Sequence, residues 1–569
     1  MNLHIATNGI ALGLAALALL ATACTSAAGP TTPAAPSPGG APTGPVQPKV
    51  NRLVMAVNAP AMENNDPRGD RGPTNWVWRP MYEYLVGVDP ENGKYVGQLA
   101  TDWKLQPDGK SFLMTLRHGV KFHGDRGDFG PESLIDTFKL LTRDANPPGV
   151  SPSGNYYGLL NPLIEGIDKV GPDQVLMRLK TPDGTFMLTT SEQRGTFPMI
   201  NAKHFEALGQ PNWTTGPVAG TGPYQYKDRA QGQFFRYERA SYQHWRTTPD
   251  FPEFEFRYMK EASTRIAALL AGEAQMADLP EDLKLQAQKQ GYKLIAGRVP
   301  GFRAFAKFYC CQMKNPKDLD SGWEHPESPL ADVRVRKALT KAIALDQLNK
   351  AFFASKGEVM YTPHMHPTRA GWDASWVTRY PAEYGYDPEA AKKLLADAGY
   401  TASKPLETSI LLPSDATGYA GADDIMESVA GMWRTVGVKV SFAQIEPVRQ
   451  REMANAHQLF NHVILGGTGS DSWTGVTAYG STVGTAIGTG IQMPDLDRVL
   501  AKLQNTLSDD EQEQFWRQAG EVMFLQHREI PLFWIPVEAT VAPNIVADYN
   551  FPGGITGAWT HVFNIKAAR

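Results

Sequence analysis

A chain of 569 residues is longer than one hydrophobic core usually organises, so two or more domains are expected. Apolar residues make up 42%, charged residues 20% and aromatics 10%, a balance that excludes a disordered or low-complexity protein. Lys plus Arg number 55 against 59 for Asp plus Glu, and a net charge of −4 excludes the basic surface a nucleic-acid partner requires. Three cysteines, Cys24, Cys310 and Cys311, are too few for a disulfide scaffold and lack the spacing of a zinc site.

In chain order, Ile10 to Ala21 is an uncharged apolar run shorter than the roughly 20 residues of a spanning helix, and it reads as part of a signal peptide, residues 1–23. Small residues then precede Cys24, which resembles the bacterial lipoprotein processing box and implies a lipidated Cys24; the alternative is ordinary secretion with an incidental cysteine. Residues 24–48 form a tether, since Thr25 to Pro48 carry seven prolines, four glycines and no charge and favour extended conformations reaching on the order of 60 Å. From Asn51 onward strand and helix patterns alternate, which predicts an α/β body. Ser111–Leu116 and Phe254–Tyr258 alternate as strands. Asp387 and Pro388 open a helix that Gly399 closes. Leu496, Leu500, Leu503 and Leu507 recur at helical spacing, and Ser508 with Glu511 forms a capping box for a helix burying Phe515, Ala519, Val522 and Met523.

The segment Leu99 to Lys139 carries Ala100, Trp103, Asp108, Gly109, Leu116, Arg117, Gly119, Val120 and Phe122, and it resembles the signature of family-five extracellular solute-binding proteins of ABC transporters. The resemblance continues through Asp66, Pro67, Tyr82 and Glu83, the turn from Gly220 to Tyr224, Tyr242 with Trp245, the run from Thr264 to Gly272, and the helix from Asp332 to Leu339. It implies a periplasmic-binding-protein-like two-lobe fold (type II) with an additional inserted subdomain. Lobe one would comprise 49–88, 215–300 and 535–569, the insertion 89–214, and lobe two 301–534.

The resemblance also implies candidate ligand residues. Asp471 stands in the Gly-x-x-x-Asp loop that holds a ligand amine in peptide-binding members; a carboxylate gains from pairing with an ammonium in a closed cleft, and the alternative is an Asp capping its own turn. Trp473 follows it, Asn75 and Trp76 precede Tyr82 in the cleft-facing stretch, and the alternative for the tryptophans is plain core packing. Arg303, near the crossing between lobes, is placed to meet a ligand carboxylate, or else is a surface arginine. His364 and His366 would share a face of an extended segment, but no neighbouring carboxylate or cysteine completes a metal site, and neither metal nor cofactor is expected. Adjacent Cys310 and Cys311 would point to opposite faces of a strand, which favours two packed thiols over a bridge.

Neither a G-x-S-x-G elbow, an H-E-x-x-H helix nor a phosphate loop occurs, so no enzyme is expected. These readings describe a lipid-anchored, monomeric substrate-binding component of an ABC importer, held at the outer face of the cytoplasmic membrane. It would deliver a peptide or other small polar solute to a membrane permease. The alternatives are a solute sensor for a signalling partner and a secreted hydrolase.

Overall fold

The computed structural model describes residues 47–60, 63, 65–66, 68, 75–89, 94–144, 156–209, 212–413, 422–468, 472–477, 479, 491–552 and 559–569. The signal segment, Cys24, nearly all of the tether and Asp471 lie outside them. Among the described residues no helix is long and apolar enough to cross a membrane.

Alternation builds the first sheet. In Glu253–Tyr258, Phe254 and Phe256 are fully buried on one face, while Glu255 turns to the other and is held by Arg236 and Arg257, each at 2.6 Å. This strand lies parallel to Arg52–Val57, which is parallel in turn to Met276–Ala277. The whole seven-stranded sheet runs Lys293–Ala296, Glu538–Val541, Met276–Ala277, Arg52–Val57, Glu253–Tyr258, Phe234–Arg239, Tyr224–Ala230. A six-stranded sheet runs Glu358–Val359, Glu529–Ile535, Phe302–Tyr309, His462–Thr468, Glu407–Pro413, Lys439–Ile445. The four-stranded antiparallel sheet holds Ala100–Leu105, Ser111–Leu116, Gln174–Leu179 and Ile164–Lys169.

The four-stranded sheet shares one continuous core with the seven-stranded sheet, whereas the six-stranded sheet has separate cores on its two sides. The motif residues make the shared core possible. A Cβ on Gly220 would stand 2.2 Å from the Met81 carbonyl, and one on Gly222 would stand 2.4 Å from that of Pro80. Only glycine lets this turn lie flat on the 80–82 segment. His123 crosses to the same turn, its Nδ1 accepting from the Gly220 N–H at 3.2 Å and its Nε2 facing the Gly222 carbonyl at 2.8 Å. Trp245 donates to Glu83 at 3.0 Å, so motif segments far apart in the chain meet in one buried knot.

The local predictions fare unevenly. Asp387 caps the helix Pro388–Asp397, accepting from the Ala390 N–H at 2.9 Å. Leu496, Leu500 and Leu503 are buried on the helix Pro494–Gln504, but Leu507 lies beyond its end and packs against the core shared by the seven- and four-stranded sheets. Ser508 is the N-cap of Asp509–Gln526 without the predicted side-chain bond; its exposed hydroxyl is left to water.

Cys310 and Cys311 correct the sequence reading, because their sulfurs are bonded to each other. The strand ends at Tyr309, and Cys311 adopts φ 70°, so the alternation argument does not apply to the pair. Arg528, itself buried, donates to both sulfurs.

Candidate functional site

Two chain crossings join the seven- and six-stranded sheets. Lys293–Ala296 leads through residues 297–301 into Phe302–Tyr309, and Glu529–Ile535 returns through Pro536 and Val537 to Glu538–Val541. The crossings run side by side, tied where the Gly297 N–H donates to the Val537 carbonyl at 2.8 Å. An antiparallel two-strand ribbon is stiff along its length but bends and twists at such a junction. Beside it, Lys356 from the six-stranded side pairs with Glu281 at 2.6 Å and Glu538 at 2.9 Å on the other.

Arg303 is the second residue of the strand that leaves this ribbon, and its side chain is fully buried. It donates to Nδ1 of His364, which leaves the imidazole proton on Nε2, 2.8 Å from Oε2 of the buried Glu529. Burial pushes the His364 imidazole down to about 4, against the opposing pull of Glu529, so a neutral ring separates the guanidinium from the carboxylate. The Arg303 guanidinium also lies 5.8 Å from the Trp534 ring and 5.9 Å from that of Phe305.

The described strand and helix that flank Asp471 in the chain both reach this corner. Arg303 pairs in register with Thr468, where its strand ends, and the chain resumes as the short helix Ser472–Thr477. Within that helix a Cβ on Gly475 would lie 2.3 Å from Nη1 of Arg303 and 2.7 Å from Nδ1 of His364. The Tyr479 ring lies 5.6 Å from His364. The structure therefore brings Arg303 beside the segment that carries Trp473, while Asp471 and the side chain of Trp473 lie outside the described residues. Asn75 opens the short 3-10 turn Asn75–Val77, its side chain likewise outside; Trp76 is buried edge-on to Phe256 with centroids 4.6 Å apart.

Sequence reasoning missed His364 as the partner of Arg303 and Glu529 as the partner of His364. The Pro-flanked His364-Met365-His366 run concealed a φ of 64° at His364, which separates the two rings. His366 instead bonds Thr368 at 2.8 Å and meets Glu358 at 3.3 Å, so each histidine does have a carboxylate, supplied from elsewhere in the chain. Among the described residues no group of three or more His, Cys, Asp or Glu is arranged to hold a metal.

Two lobes joined by a double crossing, one carrying an inserted subdomain, define a two-lobe α/β binding protein of type II. Solved structures share this fold: a dipeptide binding protein from Pseudoalteromonas sp. SM9913 in complex with Met-Leu superposes with a TM-score of 0.68 at 21% identity, covering 91% of this chain and 100% of that one. Residues 94–486 match the model of bacterial extracellular solute-binding proteins, family 5 (middle), and the chain belongs to that family. Relatives include the dipeptide-binding protein of Escherichia coli K12, 26% identical over 69% of this chain and 71% of that protein. Another is heme-binding protein A of Haemophilus influenzae, 24% identical over 81% and 82% respectively.

Proposed function

We propose that this protein is the substrate-binding component of an ABC importer, tethered through a lipidated Cys24, which captures a peptide or other small polar solute between its lobes and delivers it to a membrane permease. The lobe boundaries of this reading are 49–88, 215–300 and 535–569 for lobe one, 89–214 for the insertion and 301–534 for lobe two. The observation that carries it is the corner at the ribbon, where Arg303 donates to His364, itself beside Glu529, next to the strand end at Thr468. Arg303 would orient a ligand carboxylate and Asp471 a ligand amine, the two ends of a zwitterion, with Trp473, Asn75 and Trp76 shaping the remaining wall. Both polar contacts strengthen as closure removes water. Closure follows from differential affinity, because only the closed form presents both lobes to the solute. The peptide and dipeptide names of relatives support a peptidic ligand.

The test is native mass spectrometry of the purified full chain mixed with an equimolar dipeptide pool, repeated on Asp471→Ala and Arg303→Met. Retained, chemically unchanged dipeptide on the wild type, lost about tenfold or more in each variant, is the expected result. Cleaved dipeptides, or equal retention by all three proteins, would overturn it.

A further inference from the structure

Lobe two also meets the insertion, at a place away in sequence from the ribbon that joins it to lobe one. The Gly184 N–H donates to the Gln504 carbonyl at 2.6 Å, and Gln504 Nε2 donates to Asp183 Oδ2 at 3.3 Å. The other Asp183 oxygen accepts from the Thr185 N–H at 2.8 Å and its hydroxyl at 2.6 Å, which sets the turn. On the opposing side Gln512 Nε2 donates to the Thr506 carbonyl at 2.7 Å and braces the link between two helices. A Cβ on Gly184 would stand 2.7 Å from the Leu503 carbonyl and 2.8 Å from that of Thr506. Leu507, from the same link, packs on the core of lobe one and the insertion.

We propose that this seat is a clasp: Asp183 and Gly184, gripped by the 503–512 segment, hold the two lobes closed and so set part of the solute affinity at a contact outside the solute site. The insertion moves with lobe one, because the two share one core and are cross-bonded by His123 to Gly220 and Gly222, and by Glu192 to Val88. Rotation of lobe two about the ribbon therefore has to draw the 503–512 segment off Gly184. A contact with no room for one methyl group cannot follow such a motion by sliding, so it behaves as a two-state element. Breaking it exposes Leu507 and leaves the Gly184 and Gln504 groups to water, which biases the equilibrium toward closure.

The inference rests on the two-lobe closure reading, and small-angle scattering of the full chain separates the two. Gly184→Val and the double variant Asp183→Ala with Gln504→Ala are expected to raise the radius of gyration by on the order of 1 Å, against about 24 Å for a compact chain of this length. Amide exchange over 183–185 and 503–507 should rise about tenfold in the double variant, which removes no buried apolar group and so keeps the test open if Gly184→Val fails to fold. Unchanged scattering and exchange in the double variant would overturn the clasp, even where the wild type still retains a dipeptide. A wild type that captures no dipeptide while both variants expand would instead overturn the solute reading and leave the clasp standing.

Discussion

His123 shows how one side chain makes fold and pH dependence the same problem. Its ring accepts from one glycine and faces the carbonyl of another, an arrangement that requires the neutral imidazole, and burial pushes it down to about 4. An unfolded histidine titrates near 6.5, so above that pH both states are neutral and the stabilisation is complete. As pH falls from about 6.5 towards 4 the unfolded state takes up the proton first, and up to about 3 kcal/mol is lost per such histidine. Denaturant unfolding from pH 8 to pH 4 should therefore show falling stability, and His123→Gln should flatten that slope while lowering the plateau. A slope identical to wild type would remove His123 from the cause. His364, also at about 4, adds to the same window through the Arg303 corner. None of this was legible in the sequence, where His364 is weighed only as a metal ligand and His123 carries no local signal: their neutrality comes from enclosure by partners remote in the chain.

At the level of elements, the short motifs proved to be packing instructions. Gly220 and Gly222 have no conformational requirement visible in the sequence beyond a turn; the structure shows them pressed on the carbonyls of Met81 and Pro80. Gly220→Ala is expected to cost about 1–3 kcal/mol, read as a lower denaturant midpoint at unchanged slope, because the backbone it would strike is itself fixed in the core. Asp387→Ala removes the cap on Ala390 and should cost about 1 kcal/mol on the same measure. The strands Ser111–Leu116 and Glu253–Tyr258 and the helix from Pro388 were readable because their signals are local: period two, or a cap followed by proline. Leu507 was misplaced on a helix because apolar spacing records burial and says nothing about which neighbour supplies it.

For the whole molecule, two sheets joined by a double crossing make the lobes mechanically separable, and charges across the junction tune how freely they move. Lys356 links Glu281 and Glu538 on the seven-stranded side to the six-stranded side. Lys356→Met leaves Glu538 with Lys284 at 3.1 Å, so the expected loss is modest, about 1 kcal/mol, and smaller still at high salt. Urea melts at low and high ionic strength check this; a loss that does not depend on salt would mean packing, not charge, is at work. Arg303 and the 472–477 helix meet only because the register of the six-stranded sheet sets Arg303 opposite Thr468. Strand register belongs to the assembled sheet, which is why the sequence could nominate Arg303 but not His364 as its partner or Glu529 behind that ring.

The sequence by itself determined the α/β class, the family and the turn, cap and strand positions, since each rests on residues a few places apart whose conformational preferences do not depend on the rest of the chain. The tertiary structure alone decided the Arg303–His364–Glu529 corner, the bonded Cys310 and Cys311, the core shared by the seven- and four-stranded sheets, and the seat of Gly184. Each of these joins groups remote in sequence, and the free energy that makes a buried charge or a missing side chain favourable resides in the partner brought against it.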